Sequence, residues 1–154
     1  FKETVGEYYM YFDLMVINMT PDGTLLWANR IPRKQVWSYK YVNAVGKDLV
    51  YFSHFYALSE DKIIIGYNDS PSNASITSDH KKLKRFTDPD GSVLVVFTID
   101  LKTGEKNKTV FREGMDRETM VEPSTAFQSG IGSTLFLIGS NKAGKFKNGM
   151  MTFR

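Results

Sequence analysis

Two stretches of this chain are apolar on both faces of an extended strand. In "FDLMVINM" (12–19) one face carries Phe12, Leu14 and Val16 and the other Met15, Ile17 and Met19, and in "VLVVFTI" (93–99) both faces are again apolar. Side chains alternate with a period of two along a strand, so a strand of this kind must be covered by one layer above it and another below. A two-layer sandwich, which leaves the outer face of each sheet wet, fits this poorly.

The rest of the chain reads the same way. Runs of five to eight residues rich in Val, Ile, Phe, Tyr and Thr alternate with turn chemistry at "TPDG" (20–23), "SEDK" (59–62), "DPDG" (88–91) and "KTG" (102–104). No dozen-residue window repeats apolar residues at three and four, so no long helix is expected. Apolar runs such as "LVVF" (94–97) and "III" (63–65) fall far short of the roughly 20 residues of a membrane-spanning helix.

The strands also repeat. Leu14, Val16 and Met19 align with Leu94, Val96 and Ile99 at an offset of 80, and "KIIIGYND" (62–69) aligns with "LFLIGSNK" (135–142) at 73 when Gly66 is set on Gly139. The difference of seven lies in a connection, since the link 33–51 is seven residues longer than its counterpart 113–124. "NGMMTFR" (148–154) begins a third partial copy resembling "DGSVLVVF" (90–97). One full unit has four strands near 53–58, 62–67, 93–100 and 105–111; the last two strands of a unit precede it (12–19 and 24–31), and the first two and part of a third follow it (125–129, 134–139 and 150–154).

Four-stranded antiparallel sheets stacked face to face around an axis, as in a β-propeller, cover every inner strand on both sides. The expected fold class is therefore all-β, with four-stranded antiparallel blades of an incomplete propeller. Residues 1–32 are the end of one blade, 53–111 a full blade and 123–154 the start of the next. A ring needs roughly 4 to 8 blades and about two are present. The chain is therefore expected to be a fragment, a part of a larger protein, or a subunit that completes its ring with other copies. It opens on Phe1 without a leader, which points to a removed leader or a longer parent.

"DLMVINMTPDGTLLW" (13–27) and "VFTIDLKTGE" (96–105) resemble the outer-strand hairpin of blades in the quinoprotein-like and related propeller repeats. "IIIGYNDSPSN" (63–73), the lysine-rich connection after it, and "VLVVFTIDLKTGE" (93–105) are similar to repeats of large exported proteins of Bacteroidetes-type bacteria. The likeness covers about two thirds of the chain. It departs from that pattern in the long connection 69–91 and in keeping the closing tryptophan only at Trp27, with Lys108 or Val110 near that place in the second hairpin. The resemblance implies an extracytoplasmic setting, in the periplasm or at the cell surface.

Motifs for chemistry are sparse. "GSNKAGKF" (139–146) sets Gly139, Gly144 and Lys145 at phosphate-loop spacing, but Phe146 stands where a magnesium-binding hydroxyl belongs and a strand is expected next, so it reads as a plain connection. "QSGIGSTLF" (128–136) lacks the G-x-S-x-G elbow and reads as a hairpin. His54 and His80 have no zinc spacing, and "DPDG" (88–91) lacks the further acids of a calcium loop and reads as a turn. With no cysteine in the sequence, disulfides and thiolate metal sites are excluded.

What remains is surface. Lys81, Lys82, Lys84 and Arg85, in "KKLKR", are the candidate ligand-binding residues, suited to an anionic polymer, a lipid head group or an acidic protein. Aromatics cluster at 7–12, 36–41 and 51–56, and Asn18, Asn68, Asn73 and Asn107 each open an N-x-S/T triplet. A net charge of +3 with interleaved acids does not argue for nucleic acid. The expected function is a non-catalytic binding or scaffold module of a larger exported propeller protein or assembly. Its partners are other chains or the remaining blades, with peripheral association with a membrane complex as an option. No catalytic residue, metal or cofactor is expected. The alternative is a piece of a glycan-degrading or quinoprotein-like propeller enzyme whose catalytic residues lie elsewhere.

Overall fold

The computed structural model describes residues 7–39, 49–88, 91–111, 120–128, 134–140 and 146–152. The strands in chain order are β1 (Glu7–Tyr11), β2 (Leu14–Met19), β3 (Leu25–Ile31), β4 (Gln35–Tyr39), β5 (Phe55–Leu58), β6 (Lys62–Asp69), β7 (Val93–Asp100) and β8 (Lys106–Phe111). After these come β9 (Met120–Val121), β10 (Phe127–Gln128), β11 (Thr134–Ser140) and β12 (Phe146–Thr152). Among the described residues the only helical turns are 3₁₀ segments, the longest Leu49–Phe52. The chain is all-β, as its alternation requires.

The central sheet runs β5-β6-β7-β8, each strand antiparallel to the next. One of its faces sets Ile65, Tyr67, Val93, Val95, Phe97 and Ile99 against Leu14, Val16, Trp27 and Ile31 of the β2–β3 hairpin. Its other face sets Phe55, Ala57, Ile64, Leu94 and Val96 against Val121, Leu135 and Leu137 of the sheet built from β9, β10, β11 and β12. Of the two strands that are apolar on both sides, β7 is thus covered on both, whereas β2 is covered only on its Leu14 and Val16 face and leaves Met15, Ile17 and Met19 exposed, against the expectation of a layer on each side. Each buried core side chain contributes about 1.5–3 kcal/mol by leaving water.

Two details depart from the sequence reading. Setting Gly66 on Gly139 is one residue out of phase: Leu135 and Leu137 face the preceding layer, as Ile63 and Ile65 do in β6, so the faces match at an offset of 72. A one-residue slip exchanges the two faces of a strand, and burial decides between the registers. Pairing also assigns the place of Trp27 to Asn107, not to Lys108 or Val110, because Asn18 pairs with Trp27 and Thr98 with Asn107. Of the strand expected at 125–129, the described part that pairs with β11 is β10, while Thr125 closes a 3₁₀ turn that begins at Pro123, which cannot donate to a ladder, and β9, before that turn, also pairs with β11.

The turns at 20–24, 59–61 and 101–105 lie at one end of the stack. Leu101 N donates to Asp61 O (2.8 Å), joining two of the tight turns of the central sheet. A third belongs to the hairpin. Asn18 Nδ2 and Trp27 Nε1 both donate to Leu101 O (3.0 Å each), and Asn29 Nδ2 to Gly104 O (2.7 Å). The indole closes over Gly104, whose φ is +73° and where an added Cβ would lie 2.7 Å from Trp27 Cγ. Gly23 has a φ of +89° in the hairpin's own turn, but nothing lies within 4 Å of its added Cβ.

At either glycine an L side chain would incur left-handed strain of about 1–2 kcal/mol, but only at Gly104 would it also meet the indole. Gly104→Ala is expected to lower the unfolding midpoint more than Gly23→Ala, as read by urea denaturation. Equal losses would mean that Trp27 does not bear on the turn. Gly66→Ala, whose Cβ would lie 2.1 Å from Phe55 Cζ, is expected to cost about 1–3 kcal/mol through displacement of that ring.

Candidate functional site

The described parts of the long connections, 32–39, 49–54, 70–88 and 120–126, meet at one rim, and the buried polar residues lie there: Arg33, Gln35, Asn68, Asp69, Asn73, Glu122 and Ser140. Most of them bond to the backbone of a connection. Gln35 Nε2 donates to Asn68 O (2.7 Å), Asn68 Nδ2 to Tyr51 O (3.1 Å) and Val121 O (2.7 Å), and Tyr67 OH to Pro32 O (2.7 Å). Asn73 clamps Lys84, donating from Nδ2 to its carbonyl and accepting from its N–H at 2.9 Å each. Ser140 Oγ bridges Glu122 and the Tyr51 hydroxyl.

Over this network lies a short ribbon. β1 pairs with β4, and β4 continues laterally to Phe86 through a parallel bridge and the bond Val36 N to Phe86 O (2.9 Å). The link 33–51, expected as a plain connection, therefore contains a strand. Its aromatics pack beneath and beside it: Tyr9 against Trp37 at 5.6 Å between ring centroids, and Phe52 against Phe86 at 5.1 Å.

The expected ligand-binding residues stand here. Lys81, Lys82, Lys84 and Arg85 are all exposed, while Leu83 between them and Phe86 after them are buried. Asp79 caps the 3₁₀ turn His80–Lys82 by accepting from Lys81 N, and its carboxylate lies 3.5 Å from Lys82 Nζ. Two apolar anchors and the Asn73 clamp thus hold four cations on an ordered loop.

A second cationic element is buried. Arg33 donates from Nε to Phe12 O (3.2 Å), lies 3.3 Å through Nη1 from His54 Nδ1, and faces the rings of Tyr11 (5.3 Å) and Tyr67 (6.0 Å). Asp13 accepts from its backbone N–H and pairs with Arg30. Burial lowers the guanidinium pKa, and burial followed by the adjacent guanidinium lowers that of His54. His54 stands just before β5. Nearby, burial raises the pKa of Asp69, opposed by bonds from Asn73 and Ser70 and by Lys108. Lys108 Nζ donates to Asn73 O (2.9 Å) and Ile76 O (2.7 Å).

The remaining motifs separate from this rim or add nothing to it. Gly139 lies within β11 and Phe146 opens β12, so strand and not helix follows the glycine-lysine motif, whose residues 141–145 are outside the described ones. Residues 129–133 of the Gly130 hairpin and 89–90 of "DPDG" are also outside them. His80 sits in the capped turn. Of the four triplet asparagines, Asn68 and Asn73 are buried, Asn18 is bound to Leu101, and Asn107 is exposed. Among the described residues no three His, Asp or Glu side chains are placed to hold a metal ion. Comparison with described protein families, with curated proteins and with solved structures finds no match to this chain.

Arg33 and Glu122 were not singled out by sequence, and Asn68 and Asn73 were noted only as triplet asparagines. The available signal was the placement of polar residues at the end of an apolar run, as in "KIIIGYND" (62–69). For His54 the sign of the pH effect follows from its lowered pKa. Between the folded value and the ordinary 6.5 the unfolded chain binds more protons, so stability falls as pH falls through that interval. His54→Gln is expected to flatten this dependence in thermal melts from pH 7.5 to 5. An unchanged slope would show that His54 is not its source.

Proposed function

We propose that this chain is a section of a β-propeller and serves as a non-catalytic binding or scaffold module of a larger exported assembly. The observation that carries the reading is the central four-stranded sheet with an apolar layer against each face. Propeller blades stack in this manner and leave the connections of one rim free to meet partners. The extracytoplasmic setting rests on the resemblance to exported repeat proteins.

The binding surface in this reading is the rim, and the partner is an acidic segment of another protein chain. Support comes from the four exposed cations on an anchored loop, because a fixed cluster loses less entropy on binding than a mobile one. The titratable groups at the rim are engaged in holding connections together, which favours a scaffold over a catalyst.

Two measurements test the reading. Amide hydrogen exchange is expected to be slowest at 63–67 and 94–99, the strands covered on both sides, and faster in β2 and β3; the reverse order would remove the stacked-layer basis. Binding to poly-L-glutamate is expected to weaken with salt. The combined K81S/K82S/K84S/R85S variant should bind at least about tenfold more weakly with its melting temperature nearly unchanged. Unaltered binding would take the loop out of the surface.

A further inference from the structure

We propose that the outward face of the β2–β3 hairpin is a docking surface for one further hairpin of the same repeat, built with an Asn–Trp–Asn set like its own. The inference rests on the stacked-repeat reading and names the partner of that stack's open face.

The open face is large and apolar. Met15, Ile17 and Met19 are 60%, 54% and 53% exposed, and Leu25 and Leu26 beside them 58% and 56%. Contiguous apolar patches beyond a few hundred Å² mark interaction sites. What covers such a face can be read from its repeat-equivalent within the molecule. At the offset of 80, Met15, Ile17 and Met19 correspond to Val95, Phe97 and Ile99, and those three are buried under the inward face of the β2–β3 hairpin.

The polar part of that interface is equally specific. Asn18 and Trp27 converge on Leu101 O and Asn29 on Gly104 O, and Lys106 Nζ returns a bond to Arg30 O (2.7 Å). The equivalent turn on the open side is Thr20–Gly23, with Pro21 at the place of Leu101 and a positive-φ glycine that no side chain approaches. An apolar sheet face bordered by a glycine turn is the surface that the Asn18–Trp27–Asn29 hairpin already recognises once, and here that turn stands exposed. A second whole copy of this chain cannot supply that occupant, because its own hairpin face is engaged on its own central sheet.

The probe is a synthetic hairpin of residues 12–33 closed by a disulfide between added terminal cysteines, because a lone hairpin is marginal in water. Its strand pairing is checked by NMR before it is titrated into the whole chain. Shifts are expected at the methyls of Met15, Ile17 and Met19 and at the Gly23 amide. Binding should fall at least about tenfold when the peptide carries Trp27→Ala or when the chain carries Ile17→Lys. Met15→Glu in the chain, on the same exposed face, serves as the second variant.

Absence of binding by a formed hairpin, or shifts centred on Phe127 and Met150, would overturn the proposal. So would self-association of the chain in sedimentation that Ile17→Lys abolishes, since a second copy would then be the occupant. If the titration fails while the exchange order across β6 and β7 holds, only this docking surface is lost. If the exchange order fails, the stacked reading goes with it.

Discussion

Burial of β6 and β7 between two apolar layers is the constraint from which the rest of the structure follows. Ile64, Leu94 and Val96 point one way and Tyr67, Val95, Phe97 and Ile99 the other, and none of them reaches solvent to any extent. No loop could cover so long a surface without leaving backbone groups unpaired, so regular elements must do it, and here they are further sheets. Apolar contact fixes that the layers meet but tolerates sliding. Directional bonds from Asn18, Trp27 and Asn29 to two carbonyls of one turn set where the hairpin sits.

Stacking has a second consequence at the rim. Where strands end between layers, their connections must cross the edge of a buried core, and carbonyls that lose water need donors. Gln35, Asn68, Asn73 and Tyr67 supply them through side chains to Asn68, Tyr51, Val121, Lys84 and Pro32. The buried polar residues are thus part of the covering of the core, and they also give the loop 79–86 its fixed shape. A cationic loop anchored by Leu83, Phe86 and Asn73 inherits its order from the sheets beneath it.

Apolar alternation made the strands of the central sheet and the β2–β3 hairpin legible, because burial on both faces makes β7 apolar without a break from Val93 to Phe97. The phase of β11 was not legible: Gly66 and Gly139 look equivalent in sequence, and only the layer against which Leu135 and Leu137 pack tells the two registers apart. The β1–β4 ribbon was hidden because its strands pair across a separation of 24 to 32 residues with aromatics that suit packing of any kind. At the rim, the exposed cations were visible as a charge cluster. Arg33 was not, since nothing local to it announces burial between Tyr11, Tyr67 and a histidine 21 residues away.

The two interfaces of the central sheet are not copies of each other, and the difference carries information about order. Toward β2–β3 the contact is clasped at the tight-turn end by Trp27 over Gly104. Toward β11 it is made by β5, β6 and β7, with Gln128 Oε1 accepting from Leu58 N (2.8 Å) at one end and Asn68 reaching Val121 at the other. The residue of β8 that register sets in the place of Trp27 is Asn107, and it stands exposed. An asparagine cannot fill the space above a glycine turn, so β7–β8 could not serve its neighbour as β2–β3 serves the central sheet. Units that share strands and turns are therefore not interchangeable.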